Sequence, residues 1–113
     1  MYQLDKATGS KIAGDIRAAH DAVDTALLRI TQLSSTMLQA GDGMRLPPAE
    51  GQKALEAVVG SFSTQVDVRG QLIAAHRQMA AIKLRTDQAE TDFGCLGDGP
   101  VLGRANLTVA AAA

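Results

Sequence analysis

One apolar seam runs without interruption through residues 12–40 and constrains the fold more than any other feature of the chain. Its members recur at alternating steps of four and three residues: Ile12, Ile16, Ala19, Val23, Ala26, Ile30, Leu33, Met37 and Ala40. This is the heptad rhythm of coiled-coil helices, in which apolar residues recur about every 3.5 positions. The spacing predicts a long helix that packs against other helices through this seam.

Turn-forming residues divide the chain into two helices and a tail. Ser10 and Asp5 are both helix-capping residue types, and we place the first helix start near Ser10 with Asp5 as the alternative. Gly41-Asp42-Gly43 suits a helix end, and Pro48 suits a helix start. The predicted segments are a helix at 10–40, a turn at 41–47, a helix at 48–93 and a turn-rich tail at 94–113.

A turn of this length joins antiparallel neighbours. The sequence therefore predicts an all-α fold, in which residues 1–93 form an antiparallel hairpin of two long helices. Many of the apolar residues are small, and a lone hairpin buries little surface, so we expect it to assemble into a helical bundle through its coiled-coil-like seams.

The second helix carries two apolar lines and outreaches the first helix. The lines are Leu55, Val59, Phe62 and Val66, followed by Val68, Leu72, Ala75, Met79, Ile82, Thr86, Ala89 and Phe93. In a hairpin centred on Met44, residues after about 78 lack a partner, and an exposed apolar stripe of that length is typical of an interface. We therefore expect a homo-oligomer, a dimer or larger, in which the interface includes Ile12, Ile16, Leu72, Met79, Ile82 and Phe93. The alternative is that residues 1–9 or the tail fold back over this stripe.

Composition and charge argue against several function classes. The net charge is −1 and only three residues are aromatic, so the chain lacks the basic and stacking side chains of a nucleic-acid-binding protein. No apolar run approaches the roughly 18 residues of a membrane span. A single cysteine and the lack of a visible secretory signal favour a cytoplasmic location.

No set of side chains predicts catalysis, a metal or a cofactor. His20 and His76 are predicted about 12 Å apart along the hairpin axis, too far to share a metal within one chain. Cys95 has no basic neighbour to activate its thiol, and the acidic residues Asp87, Glu90 and Asp92 do not share one helical face. We therefore expect a protein that is not an enzyme and needs no cofactor.

The leading functional hypothesis is a structural or interaction protein, a self-associating helical hairpin that binds partner helices. In size and hairpin form the chain resembles the small secreted helical hairpins that carry a Trp-x-Gly motif in the turn, although it contains no tryptophan. That resemblance in shape implies a second hypothesis, an exported small effector or export substrate. A third is a small component of a phage-type assembly, since short helical proteins often form rings or plugs in such particles.

Overall fold

A computed structural model of the chain describes residues 1–94; Cys95 and the rest of the predicted tail lie outside the described residues. Two long helices dominate the described part, α1 at Lys6–Gly43 and α2 at Pro48–Lys83, and no strand forms within residues 1–94. The helices pack against each other as the predicted all-α hairpin. Unit 1 is described over Met1–Ala19 and residues 73–94, and unit 2 comprises His20–Leu72.

The first helix begins earlier than Ser10 because Asp5 caps it. The Asp5 carboxylate accepts a hydrogen bond from the backbone amide of Thr8 at 3.2 Å, and the Thr8 hydroxyl lies 3.3 Å from the same oxygen. A side-chain oxygen in this position satisfies an amide that the first helical turn leaves without a partner. The alternative start is therefore the one that the structure adopts, and α1 starts at Lys6.

The turn between the helices closes on Arg45, two residues after the predicted glycine stop. The Leu46 amide donates to the Gly41 carbonyl at 2.8 Å, and the Arg45 amide donates to the Asp42 carbonyl at 3.0 Å. This pair of bonds is a Schellman motif, which needs a left-handed residue between them. Arg45 is that residue, with φ of 54°, so α1 runs through Gly43 and the predicted end at residue 40 is wrong.

Six of the nine predicted seam residues of α1 lie in unit 2, and four of them are partly buried: Val23, Ala26, Ile30 and Met37. Leu33 is 50% exposed, however, and its neighbour Ser34 is partly buried instead. A straight α-helix has about 3.6 residues per turn, so a heptad line rotates by roughly 20° with every repeat. The rotation turns Leu33 away from the contact and brings Ser34 into it.

Three of the four residues in the first apolar line of α2 remain exposed. Leu55 is partly buried, but Val59, Phe62 and Val66 are exposed. Within unit 2, the partly buried positions of α2 are Gly51, Leu55, Val58, Gln65, Val68 and Leu72. Val59, Phe62 and Val66 therefore form an exposed apolar stripe beside these positions.

The second helix of the hairpin ends ten residues before the predicted Phe93. α2 stops at Lys83, where the Thr86 hydroxyl donates to the Lys83 carbonyl at 2.7 Å and the Thr86 amide donates to the same carbonyl at 3.0 Å. Threonine hydroxyls compete in this way with the helical hydrogen bonds of the backbone. The chain beyond Lys83 is therefore a non-helical segment, residues 84–94, within unit 1.

Residues 1–5 pair with this segment. The Tyr2 amide donates to the Arg85 carbonyl at 3.0 Å, and the Asp87 amide donates to the Tyr2 carbonyl at 2.9 Å, which makes an isolated bridge between Tyr2 and Thr86. The Leu4 amide donates to the Asp87 carboxylate at 2.8 Å. The predicted unpartnered extension of α2 is thus shorter than expected and is partly covered by the beginning of the chain, which was the alternative outcome.

Candidate partner-binding surfaces

An open apolar groove of about 170 Å³ lies within unit 1. Five of the six predicted interface residues line it: Ile12, Ile16, Met79, Ile82 and Phe93. The sixth, Leu72, belongs to unit 2 and is partly buried there. Because Met79 is 37% exposed and Ile82 is 55% exposed, the groove offers apolar surface that the described part of unit 1 leaves exposed.

Gly9 forms one wall of the groove because only glycine leaves room for the Phe93 ring. Gly9 is buried, and an ideal Cβ built on it would lie 2.8 Å from Phe93 Cε2 and closer still to Phe93 Cζ. Real Cβ atoms do not approach other atoms that closely. The aromatic ring therefore packs directly on the α1 backbone, where a side chain at position 9 would exclude it.

Arg17 fixes the segment that carries Phe93. Its guanidinium donates to the Phe93 carbonyl at 3.2 Å and to the Gly94 carbonyl at 2.8 Å. Gly94 has a φ of 75°, which favours glycine, and its amide donates to the Asp92 carboxylate at 2.7 Å. Arg17 thus joins α1 to the segment that follows α2 and holds Phe93 in place.

Few polar groups reach the groove. The Lys83 ammonium lies 5.4 Å from the centroid of the Phe93 ring, a cation–π arrangement. The Thr86 hydroxyl already donates to the Lys83 carbonyl and accepts a hydrogen bond from the Gln88 amide at 3.1 Å. His76 also lines the groove and has an interaction partner of its own. Lys83 therefore contributes a positive charge to a lining that is mostly apolar.

The second candidate surface is on α2 in unit 2, and we call it the α2 stripe. It consists of Val59, Phe62 and Val66, which are 59%, 40% and 47% exposed. Steps of three and four residues place the three side chains on one side of the helix. A row of this kind matches the way amphipathic helices dock on one another.

Both histidines and several carboxylates of residues 1–94 have interaction partners. His20 and His76 each make at least one such interaction. Asp87 and Asp92 accept backbone hydrogen bonds from Leu4 and Gly94, a role that the sequence did not reveal because the donors are distant or follow a turn. Within residues 1–94, no three His, Cys, Asp or Glu side chains are grouped so that they could hold a metal ion.

Neither described helix is long and apolar enough to cross a membrane. Large apolar side chains are also exposed outside the groove and the α2 stripe, among them Leu28, Leu38 and Leu84, which are 64%, 59% and 69% exposed. The chain matches no protein-family model, no curated protein and no solved structure.

Proposed function

We propose that this protein is a non-enzymatic structural or interaction protein whose helical hairpin self-associates, as a dimer or larger bundle, and can bind partner helices. One observation carries the proposal: no large side chain is fully buried anywhere in residues 1–94, while many large apolar side chains are exposed. The residues that are buried are small or polar, namely Gly9, Ala13 and Thr86. A hairpin of this kind lacks a core of its own.

The energetics favour association. Fully burying a Val, Leu, Ile, Phe or Met side chain stabilises a protein by roughly 1.5–3 kcal/mol, and most of that gain is missing where the side chain stays exposed. A second copy that covers the α2 stripe or the unit 1 groove would supply it. Apolar surface buried between subunits contributes to folding in the same way as surface buried within one chain.

Two surfaces are candidates for the contact. The α2 stripe is the stronger one, because its side chains project from a regular helix and can enter the grooves of a neighbouring helix. The groove is the second, because it gathers Ile12, Ile16, Met79, Ile82 and Phe93 of the predicted interface. Leu72, the remaining predicted residue, lies on α2 in the same unit as the stripe.

The mass of the full chain in solution tests the proposal. We expect wild-type protein to sediment as a multiple of 11.7 kDa at micromolar concentration. Phe62→Asp would place a charge within the α2 stripe and should lower the mass, while Ser63→Asp, at the exposed neighbouring position, should not. Ile82→Asp and Ala81→Asp make the matched pair for the groove. A wild-type mass of one chain at every concentration would contradict self-association.

The proposed location is the cytoplasm, where a single cysteine is compatible with the reducing conditions. Fractionation of cells that express the chain with a small tag tests this directly. Recovery of the protein from the culture medium would favour the exported alternative instead.

A further inference from the structure

We infer that the unit 1 groove is a binding site for a free aliphatic carboxylate of medium chain length. The inference rests on the size, walls and charge of the groove, all of which belong to a single chain. It does not require the self-association proposed above, because a monomer would contain the same site, and the two are compatible when the copies meet at the α2 stripe rather than at the groove.

The size and the walls define the apolar part of the ligand. The groove measures about 170 Å³. Apolar cavities of about 150 Å³ accommodate a ligand of the size of benzene, so this one has room for a tail of roughly six carbons. Aliphatic, aromatic and thioether side chains line it. Leu4, Ile12 and Ile16 come from the first 16 residues, and Met79, Ile82 and Phe93 come from α2 and the segment after it.

The charge of the groove defines the head group. Lys83 and His76 are the titratable residues of its lining, and no carboxylate is among them. Lys83 forms no ion pair within residues 1–94, and its ammonium stands over the Phe93 ring, at the groove itself. A ligand that buries its tail among the apolar walls would place an anionic head beside this ammonium.

Two further polar features of the site, the end of α2 and the Thr86 hydroxyl, do not favour an anion. α2 ends at Lys83, and the carboxyl end of a helix carries partial negative charge. The Thr86 hydroxyl is occupied by its bonds to Lys83 and Gln88. Recognition of the head group therefore falls to Lys83, which makes the charge of this one side chain a specific test.

A titration followed by NMR of the isoleucine methyl groups tests the inference on the full chain. We expect octanoate to shift the methyl signals of Ile12, Ile16 and Ile82 in a saturable manner and to leave those of Ile30 and Ile73 unchanged, since these two do not line the groove. Across butanoate, pentanoate and hexanoate the dissociation constant should fall about fourfold for each added methylene, the effect of burying one such group.

Two variants with matched controls separate the head group from the tail. Lys83→Gln should weaken octanoate binding by up to about fivefold, the upper end of the range for an exposed ion pair, while Lys53→Gln on the same helix should not. Ala80→Leu should fill the groove and abolish binding, while Ala74→Leu, at an exposed position outside the groove, should not. Circular dichroism of each variant verifies the fold, and Lys83→Gln remains decisive if Ala80→Leu disrupts it.

Three results would overturn the inference. The first is the absence of saturable shifts, and the second is a general response that includes Ile30, which indicates non-specific contact with exposed apolar surface. The third is equal binding of octanoate and 1-octanol together with insensitivity to Lys83→Gln, since the anionic head would then play no part.

Discussion

Gly9 and Phe93 show at the scale of single residues how one missing side chain allows a long-range contact. Glycine in a helix interior costs about 1 kcal/mol relative to alanine, so a helix would ordinarily be more stable with alanine at this position. Here the ring of Phe93 occupies the space that the alanine methyl group would need. Glycine at position 9 lowers helix stability, but it allows the Phe93 ring to pack at one end of the groove.

We therefore predict that Gly9→Ala destabilises the protein even though alanine is the better helix former. Overpacking costs about 1–3 kcal/mol, which exceeds the gain in propensity, and we expect a net loss of about 1 kcal/mol. Gly14→Ala is the matched control, because its nearest neighbour would be Arg17 Nη2 at an ordinary 3.8 Å, and it should stabilise. Urea unfolding measures both; equal stabilisation by the two alanines would contradict the packing of Phe93 on Gly9.

Arg45 is the second residue whose backbone departs from the usual pattern. Left-handed backbone costs a residue with a Cβ roughly 1–2 kcal/mol, and Arg45 adopts it at φ 54°. Arg45→Gly should therefore stabilise the chain, by about 0.5–1 kcal/mol after the greater freedom of glycine in the unfolded state is subtracted. Met44→Gly, beside it in the turn but without positive φ, should not stabilise. Urea midpoints in the opposite order would contradict the assigned turn.

At the scale of elements, local signals predicted the helices well and their ends poorly. Proline at the start of α2 and the absence of proline within α1 were sufficient for the hairpin. The end of α2 was misjudged because Ile82, Thr86 and Phe93 keep a helical spacing, yet the hydroxyl of Thr86 and the pairing with Tyr2 draw the chain out of the helix. Contacts across more than 80 residues leave no trace in a local pattern.

The same distinction applies to the candidate site. Five of the six predicted interface residues were found around one groove. Four of them, Ile12, Ile16, Met79 and Ile82, lie on the helices, where apolar spacing reports which side chains share a face. The spacing could not show that Gly9 and Arg17 hold Phe93 at that groove, because both contacts depend on tertiary structure. The spacing also could not show that Val59, Phe62 and Val66, in the first apolar line of α2, would remain exposed.

The contact between Leu46 and position 51 at the start of α2 can be tested by mutation. Leu46 precedes the helix, and its Cδ2 atom would lie 3.6 Å from a Cβ at Gly51, which is the geometry of a hydrophobic staple. Gly51→Ala should stabilise by about 1 kcal/mol through helix propensity, with a further contribution from the contact with Leu46. Gly60→Ala has no neighbour within 4 Å and reports propensity alone. If thermal or urea unfolding shows a smaller gain at Gly51 than at Gly60, the staple is absent.

At the scale of the whole molecule, the two long helices bury little of their own apolar surface. The α2 stripe and the rim of the groove are uncovered within residues 1–94, and no large side chain is fully enclosed there. Helices in proteins gain most of their stability from the packing of an apolar face against other parts of the structure. We therefore expect the stability of this hairpin to come in large part from association with further helices, its own copies first.

We expect the folding and the self-association of this chain to be coupled. The concentration dependence of thermal unfolding, measured on the full wild-type chain, reports this coupling. When folded subunits associate, dilution favours the unfolded state. We therefore expect Tm to fall measurably as the protein is diluted from about 100 µM to 1 µM. Circular dichroism can follow the transition over this range. Coupled folding and self-association would be contradicted if Tm and helix content were the same at every concentration and the mass were that of a single 11.7 kDa chain.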